Sequence, residues 1–227
     1  MLSQTAIRLP TYRQPASYRE NRPLVHAPTD TIDMIGAVMP FARNAEIYGE
    51  DDRVEYLYKV LKGSVRTYKL LEDGRRQITA FYLPGDAFGF EVGDRHTLSA
   101  EAIVDCQLLV LRRETVAALA ARDSSVANQL WAMTVGELQR AQDHVMLLVK
   151  TAQERVAGFL LEMSQRSRGT DDINLPMSRK DIADYLGLTI ETVSRSLTQL
   201  EHAAAIALPS SRHIVLSNRR MLSRLNS

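Results

Sequence analysis

The sequence predicts an α+β chain: an N-terminal antiparallel β-barrel or jelly roll, a long dimerisation helix and a C-terminal winged helix–turn–helix. Three observations predict it. Between about residues 45 and 112, short alternating runs are cut by Gly- and Pro-containing turns, the texture of a small antiparallel barrel. Between residues 124 and 166 there is no proline, glycine occurs only at 136 and 158, and apolar or small residues recur at helical steps. From 178 to 200, two short helix signals flank a glycine, and the second helix has two unlike faces.

The barrel strands follow from alternation and punctuation. Residues 55–60 alternate around Tyr56, Leu57, Tyr58 and Val60, and Lys62-Gly63 turns the chain. Residues 64–71 set Val65, Thr67 and Lys69 opposite Arg66, Tyr68 and Leu70. Asp73-Gly74 is a hairpin signal, 75–83 is the return strand, and Pro84-Gly85-Asp86 breaks it. A later strand is expected over 104–111. The helical stretch places Thr134, Leu138, Ala141, Val145, Leu148 and Ala152 at alternating steps of four and three. That is a coiled-coil seam just over two heptads long, and packing against the helix's own domain is the alternative reading. A second amphipathic helix is expected over 153–167, with Val156, Phe159, Leu160 and Met163 on one face. A short strand over 171–175, a run at 205–208, a turn at 209–212 and a strand at 213–216 would supply a wing. The expected division is a flexible arm over 1–30, a barrel over 31–122, a dimerisation helix over 123–152 and a DNA-binding domain over 153–227.

The helix–turn–helix carries the functional signal. Ser178 caps the first helix with Asp181 three residues on, as in a capping box. Gly187 closes it, and Thr189 is the N-cap of the second. On that second helix Val193, Leu197 and Leu200 share one side, while Glu191, Ser194, Arg195 and Thr198 share the other. One acceptor-only carboxylate, one donor-only fork and two hydroxyls suit the reading of base edges in a major groove. The bland alternative is a solvated face on which Glu191 and Arg195 form an i, i+4 ion pair.

Composition narrows the class. The 227 residues are 45% hydrophobic and 24% charged, enough for one large domain or two ordinary ones. A net charge of +1 gives no global signature of a nucleic-acid binder. Residues 31–122 hold 12 Lys/Arg against 14 Asp/Glu, and residues 153–227 hold 10 against 8. Affinity for DNA would therefore come from locally placed contacts and two copies acting together. The single Cys106 forms no internal disulfide, no Cys/His spacing suggests a metal site, and a reducing cytoplasm is the expected compartment. No apolar run approaches the roughly 18–20 residues that span a bilayer. Pro10, Pro15, Pro23 and Pro28 oppose an amphipathic targeting helix at the N-terminus. No nucleophile–base pairing, metal-ligand spacing or phosphate-cradling glycine loop is present, so an enzyme is not expected.

Barrel, long helix and winged helix–turn–helix, in that order, resemble the cyclic-AMP-receptor/fumarate-nitrate-regulator (CRP/FNR) superfamily of bacterial transcription factors. The likeness covers about residues 31–220. It rests on Tyr56-Leu57-Tyr58-Lys59-Val60-Leu61-Lys62-Gly63, Asp73-Gly74-Arg75-Arg76-Gln77-Ile78, Leu83-Pro84-Gly85-Asp86 and the block from Asp181 to Arg195. The first two blocks are similar to FixK-type regulators of rhizobia and relatives. The resemblance implies a cyclic-nucleotide-binding-like barrel and a homodimer acting mainly as an activator. It implies that Glu191, Ser194 and Arg195 face the bases of a TTGA–N6–TCAA palindrome. Ile190 stands where the cyclic-AMP receptor has an arginine, which leaves an apolar contact to a thymine methyl. Ser178, Lys180, Thr189, Thr192 and Arg212 are expected to hold phosphates. Glu72 and Asp73, at a hairpin tip, match the loop that touches RNA polymerase in the family.

Three sensing chemistries meet these residues. An iron–sulfur cluster needs about four thiolates, and residues 1–105 contain no cysteine. The family's phosphate-binding arginine–serine pair aligns with His96 and Thr97, next to Glu91, which argues against a cyclic nucleotide. Haem would require His26, His96 or Cys106 as a ligand, and each is more simply a structural or surface residue. No cofactor is therefore expected. FixK-type regulators are controlled largely through abundance, which implies activity without an effector on low-oxygen respiration and nitrogen-fixation genes. The alternative is a regulator of the same fold gated by a cyclic nucleotide or haem.

Overall fold

Turn glycines set the first half of the fold. Strand β3 (Tyr56–Lys62) ends at Gly63, whose φ is +89°. A Cβ there would fall 2.5 Å from the Asp105 carbonyl oxygen, so only glycine allows this approach. Strand β4 (Val65–Leu70) then runs antiparallel to β5 (Arg76–Tyr82) across the Asp73-Gly74 turn. In this computed structural model, which describes residue 33, residues 35–167 and residues 169–226, the N-terminal half adds five further strands. They are β1 (Ala37–Phe41), β2 (Glu46–Tyr48), β6 (Ala87–Phe88), β7 (Ser99–Ala102) and β8 (Cys106–Arg112). The arm expected over 1–30 lies outside the described residues.

The strands form two four-stranded sheets, ordered β1-β8-β3-β6 and β2-β7-β4-β5. This is an open jelly-roll-like pair of sheets rather than a closed barrel. Its interior holds Val60, Val65, Phe88, Ala100 and Leu108, with Tyr48, Tyr58 and Tyr82 packed among them. The Tyr58 and Tyr82 rings stack on Phe88 with centroids 5.1 and 4.8 Å apart. Cys106 is buried at the start of β8, its thiol donating to the carbonyls of Val104 and Ser64, and burial pushes its pKa up.

Helix α1 (Arg113–Ala120) leads into α2 (Ser124–Leu148), which Asp123 caps by accepting from the Ser125 N–H. Helix α3 (Ala152–Arg166) follows after a three-residue break. The break corrects the expected helix over 123–152. Thr151 is an extended N-cap that forms a capping box with Glu154, so Ala152 opens α3 and leaves the α2 seam. Among the described residues no helix is long and apolar enough to cross a membrane.

The C-terminal unit contains β9 (Asp172–Asn174), α4 (Arg179–Leu186), α5 (Ile190–His202), β10 (His213–Val215) and α6 (Arg219–Leu225). Strand β10 pairs chiefly with β9, and the expected run at 205–208 contributes a single bridge, Ala207 to Val215. Val193, Leu197 and Leu200 of α5 are buried with Phe159, Leu160 and Ile182. Full burial of each such side chain stabilises by about 1.5–3 kcal/mol. Ile78 and Phe81 of β5 and Ile103 just after β7 belong to the same apolar cluster, so the helix–turn–helix packs directly on the β4–β5 sheet.

Candidate nucleic-acid interface

Local signals build the helix–turn–helix. The Ser178 hydroxyl accepts from the Asp181 N–H (3.1 Å), and Asp181 accepts from the Ser178 N–H (2.9 Å). Gly187 takes φ +62° at the C-cap of α4, a left-handed conformation that glycine adopts without steric cost. Its Arg155 neighbour donates to the Leu186 carbonyl at 2.8 Å and covers the helix end. Thr189 caps α5 by accepting from the Thr192 N–H (3.2 Å).

Helix α5 then divides as its sequence requires. Val193, Ser196, Leu197 and Leu200 are buried, whereas Ile190, Glu191, Arg195 and Thr198 are exposed. Glu191 and Arg195 form no ion pair with each other or with any described residue. The solvated-pair alternative therefore does not describe this face. The α5 backbone and the Thr189 hydroxyl hold the Glu191 carboxyl below its ordinary pKa, so it is an anion at neutral pH. Thr198 donates its hydroxyl proton to the Ser194 carbonyl (3.1 Å). Ser194 is half-buried, and its hydroxyl accepts from Arg179 Nη1 at 3.2 Å.

The five expected phosphate contacts divide. Lys180, in the first turn of α4, and Arg212, just before β10, have no acidic partner among the described residues. Thr189 and Thr192 bond each other through their hydroxyls at 3.1 Å. Ser178 spends its single hydroxyl proton on Asp181 Oδ2 at 2.7 Å.

A polar seam missing from the sequence reading fixes the orientation of this motif. Arg66 of β4 donates to Glu101 (2.7 Å) and to Asp181 (3.0 Å). Arg76 of β5 donates to Asp181 (2.6 Å) and Asp184 (2.9 Å). Asp181 is 4% exposed. Burial raises its pKa, but the Ser178 donors and the two guanidiniums outweigh that and leave it below its ordinary value. From α2, the His144 ring stacks on Tyr185 (3.9 Å) with Nε2 2.8 Å from the Tyr185 carbonyl oxygen, and burial lowers its pKa. The alternation in β4 set Arg66 opposite Val65 without revealing that the helix–turn–helix covers Arg66.

The expected seam residues Thr134, Leu138, Ala141 and Val145 are exposed along α2, and Leu148 is half-buried. Trp131 (72% exposed) and Val149 (74% exposed) extend this apolar stripe at both ends. Sequence reading missed Trp131, although it lies seven residues before Leu138. Glu72 and Asp73 are exposed at the β4–β5 tip, and Asp73 accepts from the Arg75 backbone (3.0 Å) and side chain (2.7 Å).

In the β half, His96 occupies the position that the resemblance aligns with a phosphate-binding arginine. His96 is buried, stacks on Tyr48 at 3.6 Å, and has Nδ1 2.8 Å from Glu91 Oε2. Burial lowers its pKa, so it is not a cation waiting for phosphate. Among the described residues no cluster of three or more His, Cys, Asp or Glu could hold a metal ion.

Comparison with known proteins agrees with this architecture. A model of the cyclic nucleotide-binding domain matches residues 38–123, and one of the Crp-like helix-turn-helix domain matches residues 154–225. The fold and the exposed α5 face thus define a DNA-binding transcription regulator of the CRP/FNR superfamily. The chain is 52% identical over 206 residues to the nitrogen fixation regulation protein FixK of Azorhizobium caulinodans, covering 88% of this chain and 83% of that protein. It is 42% identical to FixK of Rhizobium meliloti, over 78% of this chain and 81% of that one. The solved structure of FixK2 from Bradyrhizobium japonicum superimposes with a TM-score of 0.81 at 52% identity, over 85% of this chain and 98% of that one. The chain belongs to the FixK-type family of CRP/FNR regulators. Its relatives regulate transcription rather than catalyse a reaction.

Proposed function

We propose that two copies, joined along α2, read a TTGA–N6–TCAA palindrome and act mainly as an activator of low-oxygen respiration and nitrogen-fixation genes in the cytoplasm. The observation that carries this is the outer face of α5, where an anion and a guanidinium stand exposed toward the N-terminal end with no ion-pair partner among the described residues. Helix–turn–helix proteins contact bases with that end. Glu191 accepts from a cytosine amino group, Arg195 forks onto guanine O6 and N7, and Ile190 and Thr198 complete the edge. Lys180, Thr189, Thr192 and Arg212 supply phosphate contacts. The α2 stripe of Trp131, Leu138, Val145 and Val149 is a large apolar face whose burial suits a second copy. Glu72 and Asp73 are the surface offered to RNA polymerase.

The jelly-roll interior supports action without an effector. Tyr48, Tyr58, Tyr82, Phe88 and His96 fill it. The Tyr82 hydroxyl donates to Glu137 on α2 at 2.7 Å, so a residue of the chain ties the sheet to the dimerisation helix. The test is sedimentation and footprinting of the purified protein at fixed salt. A dimer that protects the palindrome without additives is the expected outcome. A monomer, or protection that appears only with cyclic AMP, overturns the reading.

A further inference from the structure

We infer that Arg179 is a positioning residue for base readout: it turns the Ser194 hydroxyl into a donor toward DNA. The inference rests on the reading of α5 as the helix that meets the bases. Arg179 is the first residue of α4, and its guanidinium crosses to α5, where Nη1 lies 3.2 Å from Ser194 Oγ. Arg179 has no ion pair among the described residues, and its Nε is buried without a partner. The one bond made by this guanidinium therefore goes to a residue of the reading face.

The consequence follows from donor and acceptor counting. A guanidinium only donates, so Ser194 Oγ must accept from it. A serine hydroxyl has one proton, and it must point somewhere else. A helical serine often spends that proton on the carbonyl one turn back. Thr198 does so, donating to the Ser194 carbonyl at 3.1 Å, and its oxygen is left free to accept. Ser194 makes no such bond to Ile190, and its Oγ has no other partner among the described residues. Its proton is left for the groove. These two hydroxyls of α5 thus have opposite polarity: Ser194 donates and Thr198 accepts. Together with acceptor Glu191 and donor Arg195, the face presents acceptor, donor, donor, acceptor in chain order. The base pair under Ser194 must then present an acceptor, such as thymine O4 or the N7 or O6 of a purine.

The test measures binding of the full-length protein to operator duplexes in which each half-site pair is permuted, at fixed salt. Ser194→Ala identifies the pair that loses discrimination. Arg179→Met should relax discrimination at that same pair by about five-fold, the scale of one neutral hydrogen bond. The double variant should relax it no further, and Arg179→Lys, still a pure donor, should retain it. Uniform weakening on all duplexes with discrimination intact would leave Arg179 as a phosphate contact only and overturn the inference. No change at any pair with Ser194→Ala would instead defeat the reading of Ser194 itself. Circular dichroism checks that Arg179→Met folds. Where it does not, the wild-type protein decides: removing the acceptor from that pair, with a 7-deazapurine or 5-methyl-2-pyrimidinone, should cost about five-fold. Unchanged affinity there overturns the inference as well.

Discussion

Asp181 and Glu191 stand ten residues apart, both acids in the first turn of a helix in one helix–turn–helix, and they meet opposite fates. Asp181 is sealed between α4 and the β4–β5 sheet, where Ser178, Arg66 and Arg76 share its oxygens. Glu191 stays in solvent, held only by its own helix end. The same split runs through the arginines. Arg66 and Arg76 are consumed by partners across the domain seam, whereas Arg195 on α5 has none among the described residues. Residue type does not separate buried, paired charge from exposed charge in this protein. The separation lies in whether the hydrogen-bonding capacity is already spent.

The sharpest way to break that contrast is to truncate one member of each set. Asp181→Ala leaves two guanidiniums facing a buried seam without their shared carboxylate. Breaking such a buried pair costs about 3–5 kcal/mol, and denaturant unfolding should show a loss on that scale. The folded carboxyl has a pKa below its ordinary value of about 3.8. Its contribution is therefore present above pH 4 and is lost as pH falls through the folded value. An acid titration of stability should be flatter in Asp181→Asn than in the wild type. A variant as stable as the wild type, with the same acid profile, would remove the seam from the account.

Arg195→Ala is the counterpart and should leave unfolding within about 0.5 kcal/mol of wild type. Operator affinity should fall by about 1–3 kcal/mol, with preference relaxed at one base pair. Equal losses on operator and random duplexes would contradict a base-reading role. A smaller effect is expected for Tyr82→Phe, which removes the hydroxyl bonded to Glu137. Glu137 keeps Arg140 at 2.6 Å, so the loss of stability should be about 1 kcal/mol. Unchanged stability would show that the link between sheet and α2 contributes nothing.

The legible parts of the molecule are those whose cause is local. Gly63 and Gly74 placed the turns around β4, and Ser178, Gly187 and Thr189 placed α4 and the start of α5 to the residue. Val193, Leu197 and Leu200 announced the buried side of the reading helix, and so its outer side by difference. What stayed hidden depends on distant neighbours. Strand β7 is Ser-Ala-Glu-Ala, which has no strand propensity of its own and is held by pairing on both edges with β2 and β4. The partners of Arg66 stayed hidden because nothing local reveals that the helix–turn–helix lies over it. Two signals were present and unread: Thr151 and Glu154 as a capping box that ends the α2 seam before Ala152, and Asn218, whose side chain caps α6 at 3.0 Å.

Lys180→Ala should give the smallest effect and tests the contrast at its weakest point. Lys180 is an exposed cation beside the buried Asp181, one position along the same helix, with no acidic partner among the described residues. If spent capacity is what separates the two sets, it belongs with the DNA contacts despite its neighbour. Its removal should leave folding untouched and weaken specific and random duplexes alike, because a phosphate carries no sequence information. It should lower the slope of log affinity against log salt by about one, the release of one counterion. A change in base preference would move Lys180 to the reading edge, and a fall in stability would move it to the seam. Either result would mean that one turn of α4 does not divide cleanly between its two neighbours, the sheet and the DNA.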